Sequence, residues 1–340
     1  MSNLKVINPK SNGNMSYFNF SDASQESRRM FALDVHLGLS SPQKFIPSKY
    51  FYDEAGSKLF QRITELPEYY LTKAEAEILT TYKDVLAERL ASEPFALVEM
   101  GAGDGEKTKI LLEHFLAKGL DFHYAPIDIS ESALSELELS LSEQFPTLSV
   151  QSRSAEYAAG ISEIDTFAET KTLLLFLGSS IGNFSFPEMK LFLKTLWHGL
   201  NKGDFALIGF DLKKDIKMMQ AAYDDKEGVT KEFNLNLLRR INRELGGTFN
   251  TEKFYHHEIY NPKESAMESY LISLEAQEVY IDALKTTYRF APYEAIFTER
   301  SYKFSDTSIR ELAHETGFEI VETFKDSKRY FADSLWRVVK

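Results

Sequence analysis

Three glycines within five residues, Gly101, Gly103 and Gly105, directly follow the apolar run Phe95-Ala-Leu-Val-Glu-Met100. A second apolar run, Phe122-His-Tyr-Ala-Pro-Ile-Asp128, ends in a carboxylate. Glycines at a strand-to-helix turn carry no Cβ, so the backbone can come close to a ligand. An acid closing the following strand is placed to bind a ribose, as in doubly wound nucleotide-binding sheets. The spacing is G-x-G-x-G, not the G-x-G-x-x-G that cradles a pyrophosphate. That favours a nucleoside without phosphates, S-adenosylmethionine above all, over a nicotinamide dinucleotide.

Other clusters of reactive side chains point nowhere so definite. His256 and His257 are adjacent, and neighbours on a strand face opposite sides of a sheet, which makes them poor co-ligands. Asp224 and Asp225 read as solvated or helix-capping carboxylates. The chain has no cysteine, which excludes disulfides, thiolate nucleophiles and Cys-based metal sites. No metal is expected.

A net charge of −12, from 39 basic and 51 acidic residues, lacks the electrostatic footprint of a nucleic-acid binder. That disfavours an RNA or DNA methyltransferase. No apolar run approaches the ~20 residues of a membrane span. The N-terminal residues lack the hydrophobic stretch of a signal peptide. A cytoplasmic monomer that touches neither nucleic acid nor membrane is the expectation.

These residues need elements to carry them. Helical periodicity over 24–39 and 74–90 precedes a regular alternation: strand 95–100, helix 107–118, strand 123–127, helix 130–144, strand 148–153, strand 172–177, helix 187–200 and strand 204–210. Such alternation predicts an α/β fold with a parallel sheet and crossover helices. The order then breaks into a helix at 232–245 and strand runs at 254–260 and 269–280. It resumes with a helix at 308–316 and strands at 318–324 and 330–339. That last pair, joined by Lys325-Asp-Ser-Lys-Arg329, predicts an antiparallel hairpin closing the sheet, an ending typical of class I methyltransferases. The expected organisation is a loosely ordered 1–20, a substrate lid of 21–73 plus 214–303, and a donor-binding Rossmann-like domain of 74–213 plus 304–340. The lid should cover the carboxyl ends of the strands, where ligands of such sheets bind.

Several phrases stand out in order along the chain: Tyr50-Phe-Tyr-Asp-Glu-Ala-Gly-Ser57, Leu66-Pro-Glu-Tyr-Tyr70, Phe176-Leu-Gly-Ser-Ser-Ile-Gly-Asn183, Ala222-Tyr-Asp-Asp225, Gly228-Val-Thr230 with Phe233-Asn-Leu-Asn236, and Thr298-Glu-Arg-Ser301. Together they resemble the histidine-specific methyltransferase family of ergothioneine biosynthesis, from about residue 31 to residue 339. The resemblance implies that Gly101, Gly103, Lys107 and Asp128 contact S-adenosylmethionine, with Glu156 and Tyr157 on the adenine side. It implies that Tyr69, Asn183 and Tyr223 hold the amino-acid substrate and that Glu299 and Ser301 bind its imidazole. Tyr52, Phe60 and Gly178 would lie beside the substrate amine. The implied reaction is trimethylation of the α-amine of L-histidine to hercynine, with Tyr52 relaying protons and the aromatic faces of Tyr52 and Phe60 meeting the cationic product.

Two positions depart from the pattern. Ser269 stands where a methionine near the substrate side chain is expected, and Tyr293 where a glycine is usual. The first bears on which amino acid is accepted, the second on a turn. Methylation of another amino acid, or donor binding without catalysis, are the competing expectations.

Overall fold

The structure, a computed structural model, describes residues 20–164 and 170–340. The segment 1–20 expected to be loosely ordered lies outside these residues except for Phe20, the first residue of α1. Helices α1 (Phe20–Ser40), α2 (Glu54–Glu65) and α3 (Tyr70–Leu90) lead into β1 (Phe95–Met100), α4 (Glu106–Ala117), β2 (Phe122–Asp128) and α5 (Glu131–Gln144). Two short strands, β3 (Ser149–Val150) and β4 (Arg153–Ser154), precede α6 (Tyr157–Ile164), β5 (Lys171–Phe176), α7 (Phe186–Gly199) and β6 (Phe205–Asp211). Then come α8 (Ile216–Ala221), α9 (Val229–Leu245), β7 (Phe254–Asn261), β8 (Ala266–Ser273), β9 (Gln277–Ile281), β10 (Thr286–Phe290) and β11 (Ala295–Tyr302). The described chain closes with α10 (Asp306–Thr316), β12 (Phe318–Lys325) and β13 (Phe331–Val338).

The main sheet runs β12-β13-β6-β5-β1-β2-β3, with β4 continuing along β2. β1, β2, β5 and β6 pair in parallel, whereas β13 is antiparallel to both β6 and β12. This order, with one reversed strand inserted beside β6, is the class I methyltransferase sheet. Every residue of β1 and β6 is buried, as strands covered by helices on both faces must be. Leu97, Leu173 and Leu207 face the core under α3 and α4, while Val98, Leu174 and Ile208 face the core under α7 and α10.

The excursion between β6 and α10 builds a separate antiparallel sheet, β11-β8-β7, with the hairpin β9-β10 beside it. Its apolar side is filled from both parts of the chain: Phe31, Val35, Phe51 and Ile63 pack with Phe233, Leu237, Leu271 and Ile296. A backbone bridge fixes the join, with Ile46 N–H donating to the Phe297 carbonyl at 3.0 Å and Phe297 N–H to that of Lys44 at 2.9 Å. Asp53 caps α2 by accepting from Gly56 N–H at 2.7 Å, and the same carboxylate accepts from Asn236 Nδ2 at 2.7 Å and from Arg243.

Two strand expectations are corrected. The run at 148–153 splits into β3 and β4, because Gln151 N–H turns to the Tyr124 carbonyl and Ser152 breaks the pairing at a largely exposed edge. The run at 269–280 is two strands. β8 starts earlier, at Ala266, where it is covered on both faces and so lacks alternation. Residues 274–276 turn the chain so that β9 pairs with β10 instead.

Candidate active site

Strand alternation makes one wall of the site. In Thr298-Glu-Arg-Ser-Tyr-Lys303 every second side chain shares a face. Tyr302 packs into the core beside Phe186, so Glu299, Ser301 and Lys303 point the other way. A register shift between Phe297 and Glu299 marks a β-bulge just ahead of this row, and bulges re-aim the side chains that follow. Across the sheet Glu299 pairs with Ser269 and Ser269 with Glu258, so these three form one lateral row.

The carboxyl end of β5 supplies a second wall. Gly178 leaves the strand at φ 74°, a left-handed conformation that glycine adopts without strain, and the chain winds through a 3₁₀ turn to Asn183. Glu75 of α3 reaches beneath this loop, accepting from Gly178 N–H at 2.8 and 3.0 Å while pairing with Lys107 of α4. Ser179 Oγ accepts from the Asp211 N–H at 2.9 Å, which ties the loop to the end of β6.

The third wall is aromatic. Tyr52 follows the short turn Ser48–Phe51, Phe60 lies on α2, Tyr69 caps α3 and Phe233 lies on α9. Their rings meet edge-on or tilted: Tyr52–Phe60 at 5.5 Å, Tyr52–Phe233 at 5.7 Å, Phe60–Phe233 at 6.0 Å and Phe60–Tyr69 at 6.3 Å. These walls form a cavity lined by Tyr52, Phe60, Tyr69, Gly178, Asn183, Tyr223, Glu299 and Ser301 among others.

Burial sets the charge states. The Glu299 carboxyl is pushed up to about 8 by burial and by the neighbouring Glu258, against the pull of Lys303. Glu258 is itself well above the carboxylate range because it is buried, with the Ser269 hydroxyl opposing. The Tyr52, Tyr69 and Tyr223 phenols are all held well above their usual value by burial, with nearby carboxylates adding to it. Each is therefore a protonated hydroxyl at any physiological pH. Behind the cavity, fully buried Asp211 binds Lys303 at 2.8 Å, as well as Lys214, and accepts from the Tyr70 hydroxyl at 2.8 Å. Burial lowers Lys214 to about 8 despite that partner.

On the donor side, Gly101, Gly103 and Gly105 all have positive φ. Asp128 ties the turn to its own strand end by accepting from Gly103 N–H and Ser130 N–H, both at 2.9 Å. A Cβ at Gly103 would meet nothing within 4 Å, so the turn presents an open cradle there, whereas one at Gly101 would lie 2.8 Å from the Tyr157 hydroxyl. The cradle, the Asp128 carboxylate and the Tyr157 ring fit a nucleoside. Lys107 keeps its charge: burial works against it, but Glu75 outweighs burial. Glu156 is exposed and pairs with Lys49 at 3.2 Å.

The eight cavity residues named from sequence therefore come together, although they span residues 52 to 301. Ser269 does not line the cavity; it is buried beside Glu299, its partner across the β8–β11 ladder. Tyr293 is the turn residue expected of it, exposed and at φ 64° between β10 and β11. Asp225 is a capping residue, accepting from Val229 and Thr230 N–H at 2.9 and 2.7 Å. Among the described residues no group of three or more His, Asp or Glu could hold a metal. Sequence reading missed Phe233, Glu75 and Lys303. Phe233 lay inside a motif already noticed, and Lys303 is two residues beyond Ser301, where alternation alone could have found it. Glu75 carries no local signal.

A family model described as histidine-specific, S-adenosylmethionine-dependent methyltransferase matches residues 31–338. The histidine N-alpha-methyltransferase of Mycobacterium tuberculosis is 35% identical over 302 residues, covering 89% of this chain and 93% of that protein. Ergothioneine biosynthesis protein 1 of Schizosaccharomyces pombe is 32% identical over 293 residues, covering 83% of this chain and 37% of the yeast protein. An L-tryptophan methyltransferase of Psilocybe serbica is 25% identical over 322 residues, covering 86% and 89%. With the methyltransferase sheet, the glycine cradle and the cavity all in one chain, this protein belongs to the histidine-specific, S-adenosylmethionine-dependent methyltransferase family.

Proposed function

We propose that the protein methylates the α-amine of L-histidine three times, yielding the betaine hercynine for ergothioneine biosynthesis. The observation that carries this reading is one cavity lined by two unlike sets of side chains. Four aromatic rings, Tyr52, Phe60, Tyr69 and Phe233, cluster in its wall, and the hydrogen-bonding pair Glu299 and Ser301 lines the same cavity. An aromatic cage suits a quaternary ammonium, each ring contributing ~0.5–2 kcal/mol. A carboxyl with a hydroxyl suits a ring that carries one N–H and one bare nitrogen.

S-adenosylmethionine, when bound, supplies a methyl group on a sulfonium, whose bond to sulfur breaks as the amine nitrogen takes the methyl. Gly101, Gly103, Lys107 and Asp128, with Glu156 and Tyr157 at the adenine side, are the residues to hold it. The remaining work falls to the protein. Tyr69, Asn183 and Tyr223 fix the amino-acid carboxylate by charge-assisted hydrogen bonds. Gly178 brings backbone close to the amine. Fixing the amine in line contributes up to ~7–11 kcal/mol. The amine must also lose protons. Tyr52 stays a phenol, so it acts as a relay, accepting a proton only as it passes its own on. Residues 21–73 and 214–303 form the lid over this chemistry, and the enzyme works as a cytoplasmic monomer.

Incubation with S-adenosylmethionine and each of the twenty amino acids, read by mass spectrometry, tests the proposal. A mass gain of three methyl groups on histidine is expected. Faster methylation of an aromatic or aliphatic amino acid would overturn the acceptor assignment.

A further inference from the structure

Lys303 lies directly behind the acceptor cavity without lining it. Its side chain is fully buried, and its ammonium has three partners: Asp211 Oδ2 at 2.8 Å, the Tyr223 hydroxyl at 2.8 Å and Ser301 Oγ at 2.9 Å. An ammonium has three protons to donate and no lone pair to accept with. Both hydroxyls must therefore accept from Lys303, and neither can turn its own proton toward it. The two hydroxyls also neighbour each other, so Ser301 can donate a hydrogen bond to the Tyr223 oxygen. In that pattern the Tyr223 proton alone points into the cavity; when a substrate atom accepts from Ser301 instead, both protons do. Asp211 is held in turn by Tyr70, Lys214 and the Ser179 hydroxyl on its own N–H, so the arrangement is anchored to the end of β6.

We propose that Lys303 is a positioning residue that fixes the hydrogen-bond polarity of the acceptor site, making Tyr223 and Ser301 present protons to the substrate opposite the accepting Glu299. The inference rests on the acceptor reading given above. Under it, Tyr223 gives its proton to the substrate carboxylate and Ser301 to the unprotonated ring nitrogen, leaving the ring N–H for Glu299. The site thus selects one imidazole tautomer, and a ring without a bare nitrogen leaves Ser301 facing a partner that cannot accept.

The test is a four-way comparison of histidine binding by calorimetry, with S-adenosylhomocysteine present. The proteins are the wild type, Lys303→Met, the Ser301→Ala/Tyr223→Phe double variant, and the triple variant. Lys303→Met should weaken histidine binding by about tenfold or more in the wild-type background. In the double-variant background it should weaken binding by less than about twofold, since groups in one hydrogen-bond network couple. The S-adenosylhomocysteine affinity should stay unchanged in all four. Equal weakening in both backgrounds, or loss of S-adenosylhomocysteine binding along with histidine, would assign Lys303 a merely structural role and overturn the inference. Asp211 keeps Lys214 and Tyr70 when Lys303 is replaced. Should Lys303→Met nonetheless lose its thermal unfolding transition, Lys303→Gln takes its place, because its amide adds an acceptor that lets Ser301 or Tyr223 turn back. If the wild type binds another amino acid in place of histidine, the proposed function fails, and the same comparison with that amino acid decides the role of Lys303.

Discussion

At the scale of single residues, Glu299 should dominate acceptor choice. Its carboxyl is protonated below about 8 and anionic above. The anion is the stronger acceptor for a ring N–H. The KM for histidine should therefore fall as pH rises from 7 to 9, measured as the ratio of wild type to Glu299→Gln so that the common titration of the amine cancels. A ratio that stays flat would show that Glu299 does not meet the ring. Glu299→Ala should lower kcat/KM for histidine by ~10² or more, because a polar partner is lost from a site built around it. Ser269→Met acts elsewhere: Ser269 is buried between Glu299 and Glu258 in their lateral row, so a larger side chain there overpacks the sheet and costs ~1–3 kcal/mol of stability, read by denaturant unfolding. Tyr52→Phe keeps the ring and removes the hydroxyl. It should lower kcat by ~10² while the KM changes little, and an unchanged kcat would remove Tyr52 from the proton path.

At the scale of elements, the regular part of the chain was legible because hydrophobic periodicity reports burial directly. Strand 95–100 appears where a continuous apolar run put it, and strand 318–324 and the closing hairpin where the turn residues between them put them. Legibility failed where pairing switches inside one apparent run, as between β8 and β9, and where the polar Glu268 and Ser269 interrupt the buried start of β8. The site residues on β11 stood out by resemblance, but their common face follows from alternation after a bulge that no composition signal marks. Phe233 was hidden for a different reason: on a helix, one aromatic on a wide apolar face looks like any other core residue. Tyr293 offers a test at this scale. Held at φ 64° and exposed, it carries strain that glycine would not. Tyr293→Gly should raise the unfolding free energy by up to about 1 kcal/mol with activity unchanged.

At the scale of the whole molecule, Glu75 joins the two ligand sites, since one buried carboxylate holds both Lys107 on the donor side and the Gly178 backbone on the acceptor side. Glu75→Gln should cost ~1–3 kcal/mol of stability, because the partly exposed Lys107 loses its carboxylate but keeps an amide acceptor. It should also weaken S-adenosylhomocysteine and histidine binding together, and weakening of only one would separate the sites. Sequence could not reveal this link, because Glu75, Lys107 and Gly178 lie on three distant elements and nothing local distinguishes Glu75 from a surface glutamate. The pairing of Ile46 with Phe297 has a further consequence, for synthesis. The apolar faces of α1 and α2 lack their partners on α9 and β11 until those elements emerge, about 180 and 250 residues later. At ~5–20 residues per second that is a wait of roughly 10–50 s on the ribosome. During it Phe31, Val35 and Phe51 stay open to solvent, so the nascent chain is a client for holding chaperones well before it can bind any ligand.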